Sequence, residues 1–208
     1  MMVDSRFFRL YLIASSDRAA TDPLNRIMEA AAHGVSMVQL REKGLSTRLF
    51  IQRALDLKKR LSSWDIPLII NDRVDVAMAA GAHGVHLGRS DMSVKKARSL
   101  LGPGKIIGFS ASSLDDALQG CDDGADYIGA GALFPTATKK DASPLSLDDF
   151  EQIARGTPLP VVAIGGITPD KVSLLLSRGA AGVAVSSAIL QSENIPEAVK
   201  AFLEQKRD

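Results

Sequence analysis

Short apolar runs alternate with longer amphipathic runs along the whole chain. The apolar runs are rich in Val, Ile and Leu and are bounded by Gly, Pro or charged residues, which favours strands buried on both faces. The amphipathic runs place apolar side chains at helical spacing and fill the opposite face with charged residues. The predicted strands are 8–14, 36–41, 67–70, 84–87, 105–109, a run beginning at Tyr127, 160–164 and 182–185.

A helix is predicted after each strand. Asp22, Ser93 and Thr168 are suitable N-cap residues, and Pro23 suits a first helical position. The predicted helices are 23–32, 46–62, 74–80, 93–101, 114–121, 147–154, 169–177 and 196–205. Strands that alternate with helices in this way predict a parallel sheet.

A weak internal repeat sharpens this prediction. Segments 32–35, 82–85, 125–128 and 180–183 each end a helix and lead into an even-numbered strand. Gly34, Gly81, Gly124 and Gly179 lie at or near the ends of these helices, where a residue free to adopt positive φ is favoured. We therefore predict an α/β protein with a (β/α)8 (TIM) barrel forming a single domain over residues 1–208. A doubly wound open sheet is the alternative.

Composition limits the classes of partner. The chain has 208 residues, with 25 Lys and Arg against 24 Asp and Glu, a net charge of +1. Such a balance gives no broad basic surface for nucleic acid or an anionic membrane, so we expect small-molecule substrates. The single Cys121 excludes an internal disulfide. Neither a membrane span nor a signal peptide is predicted, which favours a cytoplasmic protein. Assembly into a homo-oligomer stays open.

One polar loop suggests phosphate chemistry. The strand that begins at Tyr127 is broken by Pro135, and Thr136, Thr138, Lys139 and Lys140 follow. Ligands bind at the carboxyl ends of strands in parallel α/β folds, and hydroxyl and ammonium groups there suit a phosphate or pyrophosphate. A solvated surface loop is the alternative interpretation.

Other strand ends are polar as well. Arg41 and Lys43 could hold a diphosphate, and Gln39 shares the face of Arg41 by the two-residue period of a strand. Asp72 and Asp91 follow neighbouring strands, and two carboxylates with substrate phosphate oxygens commonly hold Mg²⁺. Further polar groups follow strands seven and eight, where such barrels often bind phosphate: Gly165, Gly166, Ser186 and Ser187.

Each of these residues also has a purely structural explanation, such as a rim salt bridge or a helix cap, and the recurrence of polar strand ends favours the functional one. Histidines do not suggest a metal site. His33 and His83 fall at helix ends, and His86 is expected to pack or hydrogen-bond within strand four.

With these motifs the chain resembles the thiamine phosphate synthase (thiamine-phosphate pyrophosphorylase) family. The resemblance runs from about Tyr11 to the last helix. The most specific matches are the Gln-Leu-Arg-Glu-Lys run at 39–43 and the Phe-Pro-Thr-Ala-Thr-Lys run at 134–139. Further matching segments lie at 70–75, 84–91, 108–110, 126–129, 162–167 and 182–189.

This resemblance implies a transferase of thiamine biosynthesis. The family joins hydroxymethylpyrimidine diphosphate to hydroxyethylthiazole phosphate, plain or carboxylated, and releases pyrophosphate with the help of Mg²⁺. By position, Asp72 and Asp91 would bind the metal. The pyrimidine diphosphate would contact Gln39, Leu40, Arg41, Glu42, Lys43, Asn71, Ser110 and Lys139, among which Arg41, Lys43, Ser110 and Lys139 would be catalytic. The thiazole phosphate would contact Thr136, Ala137, Thr138, Gly166, Ser186 and Ser187.

The chain departs from the family pattern at a few positions. Arg89 stands where Gln is common, Ser112 where His is frequent, and Ser186 where an aliphatic residue is usual. Two other functions stay open: an isomerase such as the related thiazole tautomerase, and a non-catalytic regulator that binds a thiamine precursor. An isomerase would need a general acid and base, for which His86 is the strand-end candidate.

Overall fold

Parallel strands close into a barrel in the computed structural model, which describes residues 3–15, 23–136 and 144–205. Neighbours in the sequence are neighbours in the sheet, and the first strand pairs with the last. This closure confirms the predicted (β/α)8 barrel and excludes the open sheet. The strands are β1 Leu10–Ala14, β2 Met37–Leu40, β3 Leu68–Asn71, β4 Gly84–Leu87, β5 Ile106–Ala111, β6 Tyr127–Ala130, β7 Val161–Ile164 and β8 Gly182–Val185.

Helices surround the barrel. Those described are α1 Pro23–Ala32, α2 Thr47–Leu61, α3 Val74–Ala79, α4 Val94–Leu101, α5 Leu114–Asp122, α6 Leu147–Gly156, α7 Val172–Ser177, α8 Ser187–Leu190 and α9 Ile195–Leu203. Three short 3-10 turns add Ser5–Phe8, Ser62–Trp64 and Pro169–Lys171. No helix in the described ranges combines the length and apolar character that a membrane crossing requires.

Two apolar layers follow from the strand period. One face of each strand points outward and packs under the helices, in the large core that contains Leu12 and Val85. The other face points into the barrel, where Tyr11, Met37 and Tyr127 form a separate cluster. Because side chains alternate along a strand, one register fixes both layers at once.

Helix starts agree with the cap chemistry in most cases. The Ser93 side chain accepts a hydrogen bond from the Lys96 N–H, as predicted, and Ser46 caps α2 in the same way. The prediction for Thr168 was wrong. Pro169–Lys171 forms a 3-10 turn, and the Thr168 side chain makes no cap hydrogen bond. Asp22 lies outside the described residues.

Helix α8 was not predicted. It covers only Ser187–Leu190 and follows β8 after Ser186. A segment this short carries no recognisable helical period, and its apolar residues pack in the core like those of a strand. The prediction for the four glycines is confirmed: Gly34, Gly81, Gly124 and Gly179 all adopt positive φ beyond helix ends.

Candidate functional site

A cavity of about 250 Å³ opens at the carboxyl ends of the strands. Every strand of the barrel contributes at least one residue to its wall. Most of the predicted site residues lie there together: Gln39, Arg41, Lys43, Asn71, Asp72, Asp91, Ser110, Thr136, Gly166, Ser186 and Ser187. Side chains that are far apart in the sequence therefore face one space, as expected for ligand sites in such barrels.

The end of β2 divides its residues between two faces. Gln39 and Arg41 line the cavity, in agreement with their predicted two-residue spacing, and Lys43 lines it as well. Leu40 is buried in the core on the other face. The Glu42 side chain is also buried, and it accepts a hydrogen bond of 2.8 Å from Arg53 on α2. Neither Leu40 nor Glu42 belongs to the cavity wall.

Two carboxylates and one ammonium group meet at one end of the cavity. The Lys43 ammonium lies 2.7 Å from Asp72, and Asp91 accepts a 2.7 Å hydrogen bond from the Gly88 N–H. Asp72 adopts a left-handed conformation with φ of 62°, which is uncommon for a residue other than Gly. Such a conformation directly after β3 is the kind of backbone strain that functional sites often contain.

The two carboxylates interact strongly. Burial raises the pKa of Asp72, but hydrogen bonds from Lys43 and Asp91 outweigh it, so the pKa lies below its ordinary value. Burial raises the pKa of Asp91, and the neighbouring Asp72 raises it further. The hydrogen bond from the Gly88 N–H lowers this pKa, but by less than the other two effects raise it. Two neighbouring carboxylates repel each other when both are ionised, so a shared proton or a bound cation would stabilise the pair.

This pair fits a divalent cation that takes its other ligands from a substrate. Within the described ranges, no three His, Cys, Asp or Glu side chains come together in a group that could hold a metal ion. Two carboxylates are the protein contribution that Mg²⁺ usually takes when phosphate oxygens and water complete its shell.

The opposite side of the barrel offers backbone and hydroxyl groups. Gly166 has φ of 63°, and a side chain there would collide with the backbone carbonyls of Phe134 and Pro135. Ser186 and Ser187 follow β8 and line the same end. Thr136 reaches the cavity wall from the loop after β6. The predicted ligands Ala137, Thr138 and Lys139, together with Lys140, lie outside the described residues.

A chain of polar side chains crosses the floor of the cavity. Gln39 donates to the Tyr11 hydroxyl at 2.7 Å, and the Tyr11 and Tyr127 hydroxyls are 2.9 Å apart. His86 contacts the Tyr127 hydroxyl through Nδ1 and the Ser110 hydroxyl through Nε2, each at 2.9 Å. We call these five residues the polar chain. The prediction that His86 hydrogen-bonds is thereby confirmed.

Sequence reasoning did not single out Tyr11 and Tyr127 as site residues. They are the only tyrosines in the protein, and both are buried. A usable signal was present: a tyrosine at an inward position of a barrel strand needs a partner for its hydroxyl. Burial raises the pKa of each phenol, so both stay protonated in the neutral range.

Two departures from the family pattern converge on one acid outside the cavity wall. Asp116 accepts hydrogen bonds of 3.0 Å from the Ser112 N–H and hydroxyl, and Arg89 lies 3.6 Å from it. Arg89 therefore forms an ion pair with Asp116 on α5, although it is close in sequence to Asp91. The third departure, Ser186, does line the cavity.

These features define a class: parallel (β/α)8 barrels that bind anionic small molecules at the carboxyl ends of their strands. Comparison with known proteins narrows the class. Residues 10–189 match the model of the thiamine monophosphate synthase family, and the chain belongs to that family.

The sequences of known relatives align with this chain over nearly its whole length. The thiamine-phosphate synthase of Alkaliphilus oremlandii is 45% identical over 94% of this chain and 94% of its own. That of Clostridium acetobutylicum is 44% identical over 95% of this chain and 94% of its own. A solved structure, the thiamine phosphate pyrophosphorylase from Pyrococcus furiosus, superimposes with a TM-score of 0.87 at 35% identity and covers 95% of both chains.

Proposed function

We propose that this protein is a thiamine-phosphate synthase that joins hydroxymethylpyrimidine diphosphate to a hydroxyethylthiazole phosphate and releases pyrophosphate. One observation carries the proposal: the cavity has a cationic and carboxylate end at β2 to β4 and a glycine and serine end at β7 and β8. Because the barrel is closed, these ends face each other across one space. Two substrates that each carry phosphate would meet there with their reactive groups between the ends.

Departure of pyrophosphate requires that growing negative charge be neutralised. Arg41 and Lys43 supply positive charge on the wall, and Asn71 and Ser110 add neutral hydrogen-bonding groups beside them. The charged groups interact best with the separated pyrophosphate, so they stabilise the transition state more than the ground state. By family position Lys139 would add a further ammonium group.

The pair Asp72 and Asp91 would hold Mg²⁺. When bound, the ion would neutralise diphosphate oxygens and orient the leaving group. Lys43 already lies against Asp72 and would stay close enough to contact the same phosphate oxygens.

The thiazole phosphate would lie at the other end. Gly166 lines this end of the cavity, and the hydroxyls of Ser186, Ser187 and Thr136 are suitable donors to phosphate oxygens. In the family the nucleophile is a neutral thiazole nitrogen. Such a nucleophile carries no proton that must be removed, so a general base is not needed for the attack.

Two alternatives make different demands on the same residues. An isomerase would use His86 as acid or base, with little need for the carboxylate pair. A regulator would bind ligand without turnover. Formation of thiamine phosphate separates the synthase from both, and its dependence on Asp72 tests the proposed role of the carboxylate pair.

The decisive experiment is a turnover assay with Asp72→Asn. Asn tolerates left-handed backbone and keeps the size of the side chain while removing its charge. We expect kcat/KM for thiamine phosphate formation to fall about 100-fold or more, with a higher Mg²⁺ requirement, as for loss of a metal-binding charge. Product should be followed by mass and pyrophosphate by a coupled assay.

Asp75→Asn is the matched control. Asp75 is an acid on the same side of the barrel, but it is exposed and pairs with Arg73 at the surface. It should leave activity within about twofold, as exposed ion pairs contribute little. Absence of product from the unaltered protein with both substrates and Mg²⁺ would refute the proposal. Equal thiamine phosphate formation by Asp72→Asn and Asp75→Asn would contradict the proposed role of Asp72 in holding Mg²⁺.

A further inference from the structure

The polar chain has a direction, and that direction follows from counting protons. The Gln39 amide donates an N–H to the Tyr11 oxygen. Tyr11 has one proton to give, and its other hydrogen-bond partner described is the Tyr127 oxygen. Donation in the opposite sense would leave the Tyr11 proton without an acceptor in a fully buried position, which is costly.

The same counting of protons extends to the end of the polar chain. Since Tyr127 accepts from Tyr11, its own proton goes to Nδ1 of His86. A neutral imidazole whose Nδ1 accepts must carry its proton on Nε2. His86 therefore donates from Nε2 to the Ser110 oxygen, 2.9 Å away. Ser110 then has its own proton to give toward the cavity it lines.

We propose that Tyr127 and His86 are positioning residues that fix the Ser110 hydroxyl as a hydrogen-bond donor to an anionic oxygen of the bound substrate. Neither of them needs to touch the reacting atoms. Their effect is to remove the rotational freedom of one hydroxyl and to present its proton before the ligand arrives. A preorganised donor costs no reorganisation when charge develops on the ligand. As applied to turnover, this inference rests on the proposed function.

Packing around the polar chain indicates that its side chains are held in one arrangement. A side chain at Gly108 would collide with the Tyr127 ring and come within 2.5 Å of His86 Nδ1. A side chain at Gly129 would lie 3.0 Å from the His86 ring. The Tyr127 ring also packs against Phe8, with centroids 5.2 Å apart. The imidazole and the phenol are therefore held in place by contacts on several strands, independently of any ligand.

The direction of the hydrogen bonds in the polar chain determines which ligand groups Ser110 can bind. An acceptor-only group, such as a phosphate oxygen, complements a Ser110 that donates. If every hydrogen bond of the polar chain were reversed, the Gln39 oxygen would accept from Tyr11 and the His86 proton would lie on Nδ1. Ser110 would then donate to His86 and offer the ligand only an acceptor. The tautomer of His86 distinguishes these two arrangements.

The first measurement is the His86 tautomer in the intact, ligand-free protein. Long-range proton–nitrogen correlation spectra of ¹⁵N-labelled protein, recorded about two pH units above the ordinary histidine pKa of about 6.5, report which ring nitrogen carries the proton. His83 is an internal reference because its Nδ1 accepts from the Leu68 N–H. We expect both His86 and His83 to carry the proton on Nε2, with His86→Gln used for assignment. An Nδ1 proton on His86 would overturn the proposal.

The second measurement is a double-mutant cycle on binding of inorganic pyrophosphate with Mg²⁺, followed by calorimetry. Tyr127→Phe should weaken binding about tenfold, as expected for loosening one hydrogen bond to a charged group. In a Ser110→Ala background the same substitution should change binding by less than about twofold, because the hydroxyl it positions is gone. Equal losses in both backgrounds would indicate a merely structural role and would contradict the proposal.

Tyr11→Phe is the matched control, since it removes the other buried phenol oxygen. It leaves the Tyr127–His86 bond in place, so the His86 proton should stay on Nε2, whereas Tyr127→Phe should allow both tautomers. A Tyr127→Phe protein that keeps a single His86 tautomer would refute the positioning role. Tautomer and pyrophosphate affinity are measured without turnover. A protein that makes no thiamine phosphate would therefore refute the proposed function alone.

Discussion

Gly108 and Gly129 are small because large side chains from the same and neighbouring strands occupy the space beside them. Both lie on inward-facing positions of adjacent strands, and the space above them is filled by Tyr127 and His86. Neither adopts the left-handed conformation that often explains a glycine. Their role is to leave volume for the polar chain, which makes them sensitive to a single added methyl group.

Gly108→Ala should therefore destabilise the protein by about 2 kcal/mol, within the range for overpacking a filled interior. The new methyl group would displace Tyr127 and disturb its contact with His86. Gly104→Ala is the control, because a side chain there meets nothing within 4 Å and Gly104 has no positive φ. Chemical denaturation measures both. A Gly108→Ala protein as stable as Gly104→Ala would show that the barrel interior is less tightly filled than the contacts imply.

At the scale of elements, Arg98 links α4 to the strands beneath it. Its guanidinium donates to Asp126 at 2.6 Å and to the carbonyls of Gly124, Gly102 and Lys105. Asp126 accepts in addition from the Ile107 N–H at 2.7 Å. One side chain thus holds the end of α4, the start of β5 and the approach to β6. Only a planar, multiply donating group can serve so many acceptors.

Arg98→Leu should cost about 3 kcal/mol, since it leaves a largely buried carboxylate and several carbonyls without their donor. Arg98→Lys should cost less, because it restores the charge but fewer hydrogen bonds. Arg155→Leu is the control: Arg155 pairs with Glu151 four residues away on an exposed helix face, a contact worth less than about 1 kcal/mol. Denaturant midpoints measure all three. Equal losses for Arg98→Leu and Arg155→Leu would contradict the assignment of Arg98 as a link between elements.

Elements could be predicted well where a local pattern determines them. Buried strands such as 84–87 stand out as apolar runs between turn residues, and Ser93 marks a helix start by a bond to a residue three positions away. Predictions failed where the local pattern is too short, as at α8, or where proline favoured a 3-10 turn after Thr168.

Part of the candidate site was predictable for the same reason. Gln39 and Arg41 share a face because they are two residues apart at the end of a strand, so local spacing indicates their grouping. Tyr11 and Tyr127 are 116 residues apart, and only closure of the barrel brings their hydroxyls together. A contact of that kind depends on the shear and register of the whole sheet, which a single sequence does not specify.

At the scale of the molecule, charge is nearly balanced, with a net charge of +1. Local surroundings nevertheless shift the pKa values of individual carboxylates in opposite directions. Burial raises the pKa of Asp116, but hydrogen bonds from Ser112 and the charge of Arg89 lower it below its ordinary value. Burial and the neighbouring Asp72 raise the pKa of Asp91. The stability of the fold must therefore depend on pH through several opposed contributions.

Asp116 gives the contribution whose sign can be tested separately. Its pKa is lower in the folded than in the unfolded protein, where it is about 3.9. Its stabilising contribution is therefore fully present above about pH 4 and is lost as the pH falls through the folded-state pKa. Asp116→Asn should lower the free energy of unfolding at pH 7 and flatten its decline below pH 4. Asp115→Asn, an exposed acid on the same helix, controls for the change in net charge. Urea denaturation at a series of pH values measures this, and an unchanged acid slope in Asp116→Asn would show that the contacts with Ser112 and Arg89 do not stabilise the charged form.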